Sequence, residues 1–167
     1  MLDPEKTLLQ AYDEFADAIF RHCWFRVSDR EKAKELTQET FLKAWQTLLS
    51  GEEVKKMKSY LYRIANNLII DHYRKKKSLS LDELQEDGFD PGVDETEELE
   101  NFIAGKEAME LLDNISEPYR QVIVMRYVDD QSVTEIADVI GVTPNVVSVR
   151  LNRALKKLRS LYNHESR

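Results

Sequence analysis

The sequence predicts an all-α chain of two small helical domains joined by an acidic flexible linker. Three observations carry this. Five glycines and four prolines in 167 residues are too few for a turn-rich β fold. Apolar residues, 42% of the chain counting tyrosine and cysteine, recur at helical rather than alternating spacing. Charge is also unevenly placed. Residues 1–77 carry 15 Lys and Arg against 12 Asp and Glu, residues 78–117 carry 1 against 14, and residues 118–167 carry 8 against 5. The net charge of −7 therefore averages two mildly basic parts and an acidic middle. The expected layout is a domain over 1–77, a linker over 78–100 and a domain over 101–167. Ten acids with one Pro and two Gly over 78–100 suit an extended tether.

In the first domain, Leu8, Tyr12, Phe15, Ala16, Ile19 and Cys23 share one helical face, predicting a first helix of about 20 residues. Ser28-Asp-Arg-Glu31 reads as a capping box opening a second helix. Its inward stripe is Ala33, Leu36, Thr37, Thr40, Phe41, Ala44 and Leu48, with Gly51 as the stop signal. A third helix is expected from about Ser59 to Lys76, with Leu61, Ile64, Ala65 and Leu68 inward.

In the second domain, Phe102–Leu112 reads as a helix, and Ser116-Glu-Pro118 starts another with Ser as cap. Ser132-Val-Thr-Glu135 is a capping box, followed by Ile136, Ala137 and Ile140, with Gly141 as the C-terminal cap. Thr143-Pro144 opens the last helix, with Val147, Leu151, Ala154, Leu158 and Leu161 inward.

Three surfaces stand out. The first is Ser132–Leu158, a short capped helix, a tight turn at Gly141 and a longer helix, which together predict a helix-turn-helix. Asn145, Ser148, Val149, Asn152 and Lys156 lie opposite the inward stripe, where amides and hydroxyls can read base edges. Arg150, Arg153, Lys156, Lys157 and Arg159 can hold phosphates. An ordinary helical hairpin with a solvated basic end is the alternative. Five basic residues and no acid over 150–159 favour DNA. The second surface is the other face of the third helix: Tyr62, Arg63, Asn66, Asn67, Ile70, Tyr73 and Arg74, running into Lys75–Lys77. Interleaved cations, amides and aromatics suit unstacked nucleotides. Tyrosines that fill gaps in a helical core fit the pattern equally well. The third surface is Leu42 on the second helix, opposite the core stripe and flanked by Glu35, Gln38, Glu39, Trp45 and Gln46. An apolar pair rimmed by acids and amides suits a protein partner, although a single exposed leucine is ordinary.

Enzyme chemistry finds little support. His22, Cys23, His72 and His164 lack metal-ligand spacing, and no glycine-rich phosphate loop or nucleophile elbow is present. No metal, cofactor or catalytic residue is expected. No apolar run approaches the roughly 20 residues of a membrane span. MLDPEKTLLQ lacks the basic and apolar regions of a secretory signal, and one cysteine suits a reducing compartment, so a cytoplasmic protein without membrane insertion is expected.

Together, AKELTQETFLKAWQ (33–46), SYLYRIANNLIIDHYRKKK (59–77), the acidic stretch and EPYRQVIVMRYVDDQSVTEIADVIGVTPNVVSVRLNRALKKLR (117–159) resemble a bacterial RNA polymerase sigma factor of the extracytoplasmic-function group. The resemblance covers about 145 residues, with several motifs in order. It implies that Glu35, Gln38, Glu39, Leu42 and Trp45 dock on the clamp helices of the polymerase β′ subunit. It implies that Tyr62, Arg63, Asn66, Asn67, Asp71 and Arg74 melt and capture the −10 element. It assigns −35 recognition to Asn145, Ser148, Val149, Arg150, Asn152, Arg153 and Lys157. The β flap of polymerase, promoter DNA and an anti-sigma factor are the further partners implied. Family members often carry Gly-Thr-Val then Lys-Ser-Arg in the recognition helix, where this chain reads Asn145-Val146-Val147-Ser148-Val149-Arg150. A stand-alone helix-turn-helix regulator is the competing reading, and a helical protein–protein adaptor a third.

Overall fold

A computed structural model describes residues 3–76 and 106–165 of the chain. The acidic stretch over 78–100 and the start of the helix expected at Phe102 lie outside the described residues. The chain divides into two compact units, Met1–Ser80 and Leu81–Arg167. Among the described residues every regular element is helical.

In the first unit, α1 (Pro4–Val27), α2 (Arg30–Leu49) and α3 (Met57–Lys76) pack pairwise against one another. Ile19, Cys23, Ala33, Leu36, Phe41, Ala44, Leu61, Ala65 and Ile69 fill their common core. Alanines at 33, 44 and 65 let the helix axes approach closely. Two threonines tolerate the core stripe of α2 because their hydroxyls are already bonded. Thr37 and Thr40 each donate to the carbonyl one turn back, of Ala33 and Leu36, at 2.7 Å.

Two local features differ from the sequence expectation. Asp29, not Ser28, caps α2: its carboxylate accepts from the Lys32 amide at 3.1 Å. Ser28 instead ends α1 in the left-handed region, at φ 58°, donating its amide to the Trp24 carbonyl at 2.8 Å. With two residues between helices, one must reverse the chain and the other must cap. Tyr12, expected inward, is 52% exposed, its ring resting edge-on against Phe41.

In the second unit, α4 (Lys106–Asp113), α5 (Glu117–Ile123), α6 (Val133–Ile140) and α7 (Pro144–Glu165) surround Leu111, Leu112, Ile123, Met125, Ile136, Val147 and Leu158. The last helix is the common partner, packing on α4, α5 and α6. A π-helical turn over Val124–Val128 continues α5. Ser116 stands at the N-cap of α5 but makes no side-chain cap bond. Arg120, 4% exposed, ties α5 to α4 by donating to the Asp113 carboxylate at 2.9 Å.

The capping box of α6 forms as expected. Ser132 accepts from the Glu135 amide at 3.1 Å, and Glu135 accepts from the Ser132 amide at 3.2 Å. Gly141 follows at φ 75°. A Cβ at that position would meet nothing within 4 Å, so a substitution there costs backbone strain alone. Gly141→Ala is therefore expected to destabilise this unit by about 1 kcal/mol, lowering its Tm by roughly 4–8 °C in calorimetry. An unchanged Tm would contradict the left-handed turn.

Candidate nucleic-acid and protein interfaces

The outward side of α2 is built by subtraction. Once the seven-residue stripe from Ala33 to Leu48 is buried, Leu42 points away from the core and is 54% exposed. Glu35, Gln38 and Glu39 are exposed around it, and Trp45 is half-buried. The structure adds a residue that the sequence reading missed. Leu49, two helical turns beyond Leu42 on the same line, is 58% exposed. Its signal was the spacing of seven from Leu42, masked by its position at the helix end. Leu42, Trp45 and Leu49 form an apolar row with an acidic and amide rim.

The α3 surface is only partly the one expected. Arg63, Asn67, Asp71 and Arg74 are exposed, as are Lys75 and Lys76. Asp71 and Arg74 form an exposed pair at 3.8 Å, loose enough to exchange partners at little cost. Tyr62 and Asn66, expected on this face, are each 2% exposed and belong to the core. The reason is a polar group supplied by α1. Arg26, fully buried, donates from Nη1 to Asn66 Oδ1 at 2.9 Å. His22, also fully buried, meets the Tyr62 ring edge-on with centroids 5.3 Å apart. Tyr73 is half-buried and its hydroxyl donates to the Arg26 carbonyl.

With Asn66 and Tyr62 inside, Ile69 joins the core, while Ile64 and Leu68 are only half-buried. Apolar spacing alone placed those two inward, so the helix sits roughly a quarter turn from that setting. Beside this face, burial and then the Lys32 and Lys76 charges hold His72 below its ordinary pKa, against Asp29 and Glu35. Its imidazole is neutral at neutral pH and adds nothing to the cationic face.

The α7 candidates lie on one helix but differ in exposure. Thr143 Oγ1 accepts from the Val146 amide at 3.3 Å, so the helix opens in a capped first turn. Asn145 lies exposed in that turn, with Ser148, Val149 and Asn152 half-buried along the same face. Lys156 and Lys157 are exposed, whereas Arg150 and Arg153 are half-buried. Val147, Leu151, Ala154, Leu155 and Leu158 anchor the opposite side. This geometry suits insertion of the α7 N-terminus into a major groove, flanked by cations for phosphate.

These units define a class: paired helical modules, one a helix-turn-helix, that present a basic face and an apolar row. Residues 11–79 match the family model for Sigma-70 region 2, and residues 106–158 match that for Sigma-70 region 4. The chain belongs to the sigma-70 family, within its extracytoplasmic-function group. It is 27% identical over 157 residues to the ECF RNA polymerase sigma factor SigW of Bacillus subtilis, covering 88% of this chain and 84% of that one. Its fold is similar to that of CnrH, solved in complex with the cytosolic domain of CnrY. The TM-score is 0.69 at 22% identity, covering 96% of this chain and 90% of that one. It is also similar to RpoE of Bartonella quintana, solved with the anti-sigma factor NepR. There the TM-score is 0.70 at 20% identity, with 95% and 98% covered. Among the described residues, no helix is long and apolar enough to cross a membrane.

Proposed function

We propose that this sigma factor binds core RNA polymerase through the outward row of α2, captures −10 DNA on α3 and reads −35 DNA with α7. The observation that carries the reading is Leu42, exposed opposite its own helix's core stripe in the unit that also bears the α3 cationic face. Glu35, Gln38, Glu39, Leu42, Trp45 and Leu49 contact the β′ clamp helices, and the second unit meets the β flap. Arg63, Asn67, Asp71 and Arg74 contact −10 DNA, while Tyr62 and Asn66 act from inside the core. Polymerase supplies the chemistry; this chain directs it, in the cytoplasm. An anti-sigma factor is a further partner, supported by the complex in which RpoE was solved with the anti-sigma factor NepR. A stand-alone regulator would need the α7 surface but would leave the Leu42–Leu49 row unused. Co-purification with core polymerase separates the two readings, because a regulator that recruits nothing is not retained.

Within α7, base and phosphate contacts differ in what their loss does. Asn145, exposed in the first turn, is assigned to base readout, and half-buried Arg153 to phosphate. Asn145→Ala is expected to relax one position of the −35 site, removing about 1–3 kcal/mol of discrimination. Arg153→Ala is expected to weaken all sequences alike and to reduce the salt slope by about one. Binding-site selection with holoenzyme checks both. A changed consensus with Arg153→Ala would reverse the assignment.

A further inference from the structure

We infer that Arg26 is a positioning residue for promoter opening: buried in α1, it sets the rotation of α3 about its own axis and so decides which α3 residues face DNA. The inference rests on the assignment of α3 to −10 DNA. α3 has two competing inward faces. Hydrophobic spacing favours Leu61, Ile64, Ala65 and Leu68, whereas the structure buries Leu61, Tyr62, Ala65, Asn66 and Ile69. Asparagine is a poor core residue unless its amide is bonded, and a guanidinium is costly to bury without acceptors. Arg26 Nη1 gives the Asn66 amide oxygen its donor at 2.9 Å, and Asn66 gives the guanidinium one of the acceptors it needs.

The same guanidinium nitrogen lies 3.4 Å from His22 Nε2, and a donor-only arginine makes that ring nitrogen the acceptor. His22 in turn carries the Tyr62 ring. Further along α3, the Tyr73 hydroxyl donates to the Arg26 backbone carbonyl. One residue of α1 therefore brackets Tyr62, Asn66 and Tyr73, which follow one another along one side of α3 over three turns. That bracket holds Arg63, Asn67 and Arg74 outward on the adjacent side. Without it, apolar spacing turns α3 so that Ile64 and Leu68 go in, Tyr62 and Asn66 come out, and Asp71 moves toward the packed side. Arg26 is thus a positioning residue, acting on DNA only through α3.

The test exploits the competition between the two faces. Arg26→Met keeps a long side chain but leaves Asn66 without its guanidinium donor, favouring the turned setting. Adding Asn66→Leu makes position 66 apolar and restores the native setting by hydrophobic pairing. In holoenzyme, Arg26→Met is expected to lower promoter opening, read by permanganate reactivity, by about tenfold or more, since small misplacements of a contact face are costly. Affinity for core polymerase, carried by α2, should stay within about twofold. The Arg26→Met, Asn66→Leu double variant is expected to recover most of the opening, which an Asn66 in direct contact with DNA would forbid.

A second readout needs no DNA. In the free chain, the thiol of Asp71→Cys reacts with an exposed-thiol reagent, while Cys23, fully buried, stays silent. Its reaction should slow in the Arg26→Met background and recover with Asn66→Leu. Equal thiol reactivity in the native and Arg26→Met backgrounds, or no recovery in the double variant, overturns the inference. If circular dichroism shows Arg26→Met unfolded, Arg26→Lys takes its place with the same readouts and criteria, a single ammonium lacking the fork that spans Asn66 and His22. If the unaltered chain opens no promoter, the −10 assignment fails and the thiol comparison alone decides the role of Arg26.

Discussion

Leu42→Asp is expected to lower affinity for core RNA polymerase by about 30-fold, the equivalent of roughly 2 kcal/mol, while leaving the fold intact. The size follows from where Leu42 stands. It is 54% exposed in the free chain, so a carboxylate there meets water and should change stability by no more than about 0.5 kcal/mol. In the proposed complex the same position is covered together with Trp45 and Leu49, and a carboxylate there would be buried without a partner. Leu49→Asp should act in the same direction with a smaller effect, because Leu49 ends the helix. Fluorescence anisotropy against purified core polymerase measures the affinity, and thermal unfolding the stability. Unchanged affinity, or a large fall in Tm, would remove Leu42 from the interface.

Asn67→Ala is expected to reduce opening of a duplex promoter by about tenfold, with closed-complex binding nearly unchanged. Asn67 is exposed on α3 between Arg63 and Asp71, where its amide can bond the edge of an extruded base while neighbouring cations hold the backbone. Cations dominate binding to the closed duplex, and an amide contributes little to that step. Permanganate footprinting on a duplex promoter and on a pre-melted bubble separates the steps. A defect confined to the duplex assigns Asn67 to melting, and an equal defect on both assigns it to base capture. No defect on either template would place −10 contacts elsewhere on α3.

The all-α class, the Gly141 turn between α6 and α7 and the outward setting of α2 were legible because in each the apolar spacing pointed to a single inward face. Ser132, Glu135 and Gly141 occupy their expected roles, and Leu42 is outward because its helix has one unambiguous stripe. α3 was misread where spacing and burial disagree. Tyr62 and Asn66 looked like surface residues because their buried partners, His22 and Arg26, lie about 40 residues earlier in the chain. Periodicity along one helix cannot report a polar group presented by another. Sequence also misassigned the cap of α2, because Ser28 and Asp29 are both good caps and only the chain reversal decides between them. The site assignments depend on these details. Four of the six α3 candidates face outward, and the other two, Tyr62 and Asn66, are buried.

Promoter-selective transcription with purified core polymerase decides whether this chain directs initiation. Core polymerase alone should give no specific transcript from the promoters this chain recognises. Adding the chain should give a defined start site, and adding the Leu42→Asp variant at equal concentration should give little product. A chain that binds those DNA sites yet leaves core polymerase unable to start there would contradict the account.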